Sequence, residues 1–112
     1  MDRDEIANRV QKTGSAFKKL RGLHAALPKL EDNLLERLKT EEEEKRGEMS
    51  EIRLKRYAKN RIEWTRFSTN QARIIRYYKE AKTDYEVSRD LLSLHQTNVK
   101  EDIEERRAFT GT

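Results

Sequence analysis

Residues 57–99, YAKNRIEWTRFSTNQARIIRYYKEAKTDYEVSRDLLSLHQTNV, decide how this chain is read. From Tyr57, steps of seven land on Trp64, Gln71, Tyr78, Tyr85, Leu92 and Val99. The companion positions are Asn60, Phe67, Ile74, Ala81, Ser88, His95 and Asp102. An a/d seam of this kind marks a helix that packs on another helix along one edge. A straight helix drifts away from a strict seven-residue repeat, so a sustained one predicts a left-handed supercoil. Ser50 reads as an N-cap and Gly111 as an end signal, which predicts one long helix over about 50–107. A rival signal lies inside it. Ser68-Thr69-Asn70-Gln71 fits a capping box, which would split the segment into a hairpin. The seam runs through that site in register and no Gly or Pro interrupts it, so the unbroken helix is preferred.

Upstream, Ile6, Val10, Thr13, Phe17, Leu20, His24 and Leu27 alternate steps of four and three, predicting a helix over about 3–26. Asp2, Asp4 and Glu5 favour the positive end of its dipole. Pro28 lacks an amide donor and restricts the residue before it, so it is expected to end that helix. Proline also suits a first helical turn, so a second helix is expected over about 29–46. Its apolar face is Leu30, Leu34, Leu35 and Leu38. Lys45 and Arg46 followed by Gly47 form its stop. The expectation is an all-α chain: an antiparallel helical bundle or coiled coil with two shorter N-terminal helices and one long C-terminal helix. Residues 1–112 are taken as a single helical coiled-coil domain.

Composition supports this reading. Apolar residues make up 34% and charged residues 41%. An ordinary globular domain is roughly 45–50% apolar and about 25% charged, so the chain is short of material for a broad core. A charge-rich chain with a helical period reads as long helix or coiled coil. There is no cysteine, which excludes disulfides, thiolate metal sites and cysteine nucleophiles. No apolar run is long enough to span a membrane, and no secretory h-region follows the charged N-terminus. A soluble, cytoplasmic and unsecreted protein is expected.

The predicted lengths imply a partner. Two short helices folded back on a long one would leave Tyr78, Tyr85, Leu92 and Val99 with little of the same chain above them. An exposed apolar stripe of that length is unusual in a monomer. The expected interface is Trp64, Phe67, Ile74, Tyr78, Tyr85, Leu92 and Val99, and the expected partner is another copy, a two-fold dimer being the commonest solution. Asn60, Gln71, Ser88, His95 and Asp102 would form polar layers that fix register.

Charge is laid out in blocks. Ile6 to Leu30 carries a net +6, Glu31 to Glu48 −4, Arg53 to Lys82 +8 and Glu86 to Arg107 −2. The first reading is that opposite blocks pair inside the bundle and set its topology. The alternative is nucleic-acid binding through the basic stretch 53–82. On a continuous helix, Lys55, Lys59, Arg66 and Arg73 would line up opposite the aromatic seam, as phosphate tracking requires.

No chemistry-bearing constellation is recognised. His24 and His95 lie far apart on apolar stripes and read as structural polar layers. Glu41 to Glu44 points in every direction around a helix and reads as a solvated stretch. No phosphate loop or nucleophile–base set is present. No catalytic residue, metal ligand, cofactor or small-molecule substrate is expected. The functional expectation is a non-catalytic structural or protein-interaction protein, scaffold- or adaptor-like, acting through self-association or partner-helix packing.

Overall fold

In a computed structural model, the described residues, 2–110, form three helices and no strand: α1 (Arg3–Arg46), α2 (Glu51–Lys59) and α3 (Ile62–Thr110). Contacts group the chain into two units, Met1–Lys19 with Lys79–Thr112, and Leu20–Tyr78.

Helix α1 starts where carboxylates favour a start. The Asp2 side chain accepts a hydrogen bond from the Glu5 amide at 2.8 Å, satisfying one donor of the first turn. It ends as expected at Gly47, which has φ +86° and whose amide bonds the Glu43 carbonyl at 2.8 Å. Ser50 then caps α2, accepting from the Arg53 amide at 3.4 Å. The Gly111 end signal lies outside the described residues.

The expected break at Pro28 does not occur: one helix replaces the two expected over 3–26 and 29–46. A proline inside a helix costs ~3 kcal/mol through the lost bond and the ring clash. The packing around it explains the outcome. One turn before it, His24 stacks on Tyr78 with ring centroids 4.4 Å apart. One turn after it, Gln71 Nε2 donates to Glu31 Oε2 at 3.2 Å. Between them Leu27 is buried. These contacts follow a 4-3 rhythm that never stops: Ile6, Val10, Thr13, Phe17, Leu20, His24, Leu27, Glu31, Leu34, Leu38 and Glu41 are all buried or half-buried. Leu30, expected on the inner face, is exposed, and Glu31 takes the seam position instead.

The long C-terminal helix expected over 50–107 is interrupted, and not at Ser68. The break falls at Asn60 and Arg61, between α2 and α3. Around it the backbone bonds tighten to three-residue spacing: Asn60 to Tyr57, Arg61 to Ala58 and Trp64 to Arg61, each amide to carbonyl at 3.2–3.3 Å. Side chains three apart eclipse in such a turn. That brings Ala58, Arg61 and Trp64 into one line, whereas a seven-residue repeat would have used Asn60. The inner edge of α2, Leu54 and Ala58, is therefore out of step with that of α3, and the tight turn absorbs the difference. At Ser68 the helix continues because its would-be capping partners are engaged elsewhere. Gln71 reaches Glu31, and the Thr69 hydroxyl donates to the Thr65 carbonyl at 3.0 Å.

These observations generate a direct test of α1. Pro28→Ala restores the missing donor and removes the clash, gains offset by about 0.4–1 kcal/mol of unfolded-state entropy. The expected net effect is ~2 kcal/mol of added stability in thermal or urea unfolding. A loss of stability would mean that Pro28 terminates a helix after all.

Candidate functional site

The predicted seam residues fall on the inner edge of α3 as far as His95. Trp64, Phe67, Gln71, Ile74 and Tyr78 are half-buried in one unit. In the other, Ala81 and Ser88 are buried, and Tyr85, Leu92 and His95 are half-buried. Val99 is 43% exposed, and Asp102 and Ile103 are also exposed, so the buried line ends before them. The line is occupied by the chain's own α1. Tyr85 stacks on Phe17 at 5.6 Å, and Tyr78 on His24. The expectation that these tyrosines lie with little of the same chain above them is thereby corrected. Its cause was the break assumed at Pro28, which made the N-terminal helices look too short.

Close approach is built into the unit that holds Tyr85. A Cβ at Gly14 would lie 2.9 Å from Tyr85 Cε2, so only glycine admits the ring there without a shift. Ser88 is fully buried, and its hydroxyl is satisfied within α3, donating to the Asp84 carbonyl at 2.8 Å. Small groups at these positions leave room for the Phe17–Tyr85 stack, worth about 0.5–1.5 kcal/mol beyond its buried area.

In the other unit the Glu41–Glu44 run is only partly a solvated stretch. Arg61 Nη1 donates to Glu41 Oε2, and Arg61 Nε lies 3.9 Å from Glu42 Oε1. Glu42 is buried and accepts from Arg46 Nε at 2.8 Å. The Arg46 guanidinium in turn lies 4.1 Å from the centre of the Tyr57 ring. Arg61 Nε also forms an ion pair with Glu63 Oε2 at 3.0 Å. Nearby, Lys39 bonds both Glu36, at 3.0 Å, and Glu51. Here one member of the basic block, Arg61, meets the acidic block at Glu41 and Glu42, while the Arg46–Glu42 and Lys39–Glu36 pairs lie inside the acidic block. The seam rhythm ran on to Glu41, and that was the signal available in the sequence.

These pairs move the acid–base behaviour of their members. Lys39 holds the Glu51 carboxyl below its ordinary value. The Glu63 carboxyl is lowered by its own backbone amide first and by Arg61 next, against a rise from burial. Lys39 is raised by its hydrogen bonds to Glu51 and Glu36. Depressed carboxyls add stability that is present above their ordinary range and lost as pH falls through the lowered values. The raised lysine adds stability that disappears only as pH climbs through its raised value.

The predicted basic stripe is divided. Lys55 and Lys59 lie on α2, while Arg66 and Arg73 lie on α3 beyond the break, so the four do not share one continuous helix. Lys59 sits 5.6 Å from the Trp64 ring centre. Arg66 and Arg73 are exposed and line a shallow groove with Thr65, Thr69 and Asn70. Among the described residues no group of three or more His, Asp or Glu side chains is placed to hold a metal ion. No described helix is long and apolar enough to cross a membrane. No protein-family model matches the chain, and neither does any curated protein or solved structure.

Two outcomes are expected. A Phe17→Ala, Tyr85→Ala double-mutant cycle in urea unfolding gives a coupling of about 1 kcal/mol; additive losses would show that the stack contributes nothing. In melts followed by circular dichroism from about pH 5 to pH 3, the wild-type midpoint falls more than that of the Glu51→Gln, Glu63→Gln variant. Parallel curves would remove these two carboxylates from the acid response.

Proposed function

We propose that the chain is a non-catalytic interaction protein that works by self-association. In this reading α1 and α3 pair antiparallel as a coiled coil, and the outer flanks of that pair bind a second copy. The antiparallel sense is supported by contact order. In the unit Leu20–Tyr78, residues 24, 31 and 41 of α1 meet 78, 71 and 61 in turn, one series rising as the other falls.

The observation that carries the reading is apolar surface left over after the seam is filled. In one unit Leu23, Leu30 and Tyr77 are 44–49% exposed. In the other, Val87 and Leu94 are 46% and 58% exposed. Scattered apolar side chains are ordinary on a surface, but grouped ones mark contact sites. Grouping is what helical spacing produces here, with 23 and 30, and 87 and 94, each seven apart. The seam residues Trp64, Phe67, Ile74, Tyr78, Tyr85 and Leu92 then act as the internal framework that presents those flanks. Sedimentation equilibrium of the full chain is expected to return a two-copy mass at micromolar concentration, falling on dilution. A single-copy mass across the whole range would remove self-association.

A second reading, nucleic-acid binding, is favoured by one feature. From Trp64 to Lys79 the chain carries Arg66, Arg73, Arg76 and Lys79 and no acid. If the groove around Thr69 and Asn70 tracks phosphates, Arg66→Gln with Arg73→Gln lowers the salt-dependence slope by about 2. Absence of any gel shift at low salt would dispose of it.

A further inference from the structure

The unit Met1–Lys19 with Lys79–Thr112 carries two outer faces of opposite charge. On α3, Asp84, Val87, Leu91 and Leu94 follow one another by three, four and three residues, which places them on one side of the helix. Val87 and Leu94 are exposed and Leu91 is half-buried. Asp90 and Glu101 border this stripe. The bases between Glu80 and Glu101, which are Lys82, Arg89 and Lys100, fall about half a turn away at 100° per residue. The stripe is therefore apolar with a purely acidic border over that span.

On α1, Arg9, Lys12, Ala16 and Lys19 repeat the same three, four, three spacing. All four are exposed, and the chain has no acid between Ile6 and Lys19. A shallow groove lined by Glu5, Asn8, Arg9, Lys12 and Thr13 runs along this face. Ala16, exposed between Lys12 and Lys19 on this face, leaves space for a larger apolar side chain to approach.

We infer that the basic face of α1 in one copy docks on the acid-bordered Val87–Leu91–Leu94 stripe of α3 in a second copy, and reciprocally. This rests on the self-association and antiparallel pairing proposed above. In that pairing both faces lie on the same flank of the seam, since 9 and 16 precede the seam positions Val10 and Phe17 as 84 and 91 precede Tyr85 and Leu92. A two-fold axis along the helix pair then lays each α1 over the other copy's α3 at the same level. The register that stacks Phe17 on Tyr85 sets Lys12 level with Asp90, and puts Lys19 and Ala16 within one residue of the levels of Asp84 and Val87. Apolar contact supplies the attraction, and the charged borders select orientation and partner. The contact is self-complementary, as a two-fold interface must be.

The test is sedimentation equilibrium of full-length variants, with far-UV circular dichroism confirming helix content. Leu94→Asp is expected to yield single copies of unchanged helicity, because the position is exposed. Lys12→Glu with Lys19→Glu, and separately Asp84→Lys with Asp90→Lys, are each expected to weaken self-association about tenfold or more, by placing like charges opposite each other. Mixing the two charge variants is the decisive arm. One interface then pairs reversed charges and the other keeps the wild-type pairing, so a mixed two-copy species forms where neither variant associates alone. A wild-type two-copy mass that survives Leu94→Asp and both charge reversals overturns this interface while leaving self-association standing. Charge variants that dissociate but fail to recombine overturn the proposed pairing of α1 with α3. A wild-type chain that is single-copy throughout overturns both proposals.

Discussion

The structure depends on one constraint: α1 must keep a seven-residue rhythm of burial along its length with very little apolar material. Within each unit the chain spends its few large side chains along one edge of its helices rather than in a broad core. Of the described residues, Leu38, Ala58 and Ser88 are buried completely, and of these three only Leu38 is large. In a protein built this way each layer has a small number of contacts, so the stability of a layer rests on one or two pairs. Phe17 against Tyr85 and His24 against Tyr78 are such pairs. Stacked rings suit the role, because two flat side chains cover each other's faces without a third partner.

Where apolar material runs out, charge takes over. From Glu31 onward the α1 seam includes Glu31 and Glu41, and their partners are Gln71 and Arg61. Pairs of this sort contribute little net stability where water reaches them. A buried carboxylate is different, because removing its partner leaves a desolvated charge. Glu42, held by Arg46 and near Arg61, is in that position. The value of the cluster is therefore in specifying which turn of α1 meets the α2–α3 junction, a choice that interchangeable Leu layers would leave open. It also explains why the tight turn at Asn60–Arg61 is stable. Arg61, brought inward by three-residue spacing, finds carboxylates waiting on either side of it.

Much of this was legible in the sequence. The all-helical class, the seam positions from Trp64 to His95, the Ser50 cap and the Gly47 stop all follow from periodicity and local chemistry. What misled was punctuation. Pro28 is a strong local signal, and nothing local reveals that His24, Leu27 and Glu31 are all held by tertiary contacts. The cost of the proline is spread over neighbours that only the folded chain brings together. The break at Asn60 was invisible for the opposite reason. It carries no Gly or Pro, and its cause is a one-residue mismatch between the inner edges of α2 and α3. That mismatch shows only once Ala58 and Arg61, rather than Asn60, are known to face inward.

The misreading of Pro28 also changed the functional argument. With α1 cut in two, the seam itself looked uncovered and became the expected interface. With α1 intact, Tyr78 and Tyr85 are engaged within the chain, and the self-association proposed above would use surface beside the seam. Position by position, the flank offers what the seam no longer can: exposed Val87 and Leu94, and borders of opposite sign on α1 and α3. Under the proposed self-association, a protein with so thin a core would gain from a second copy in a specific way. Each added apolar contact is a large fraction of what one layer already has, so association and folding stability are coupled through mass action. A surface of separated positive and negative faces makes that coupling selective, since only a partner presenting the same two faces in reverse can satisfy both.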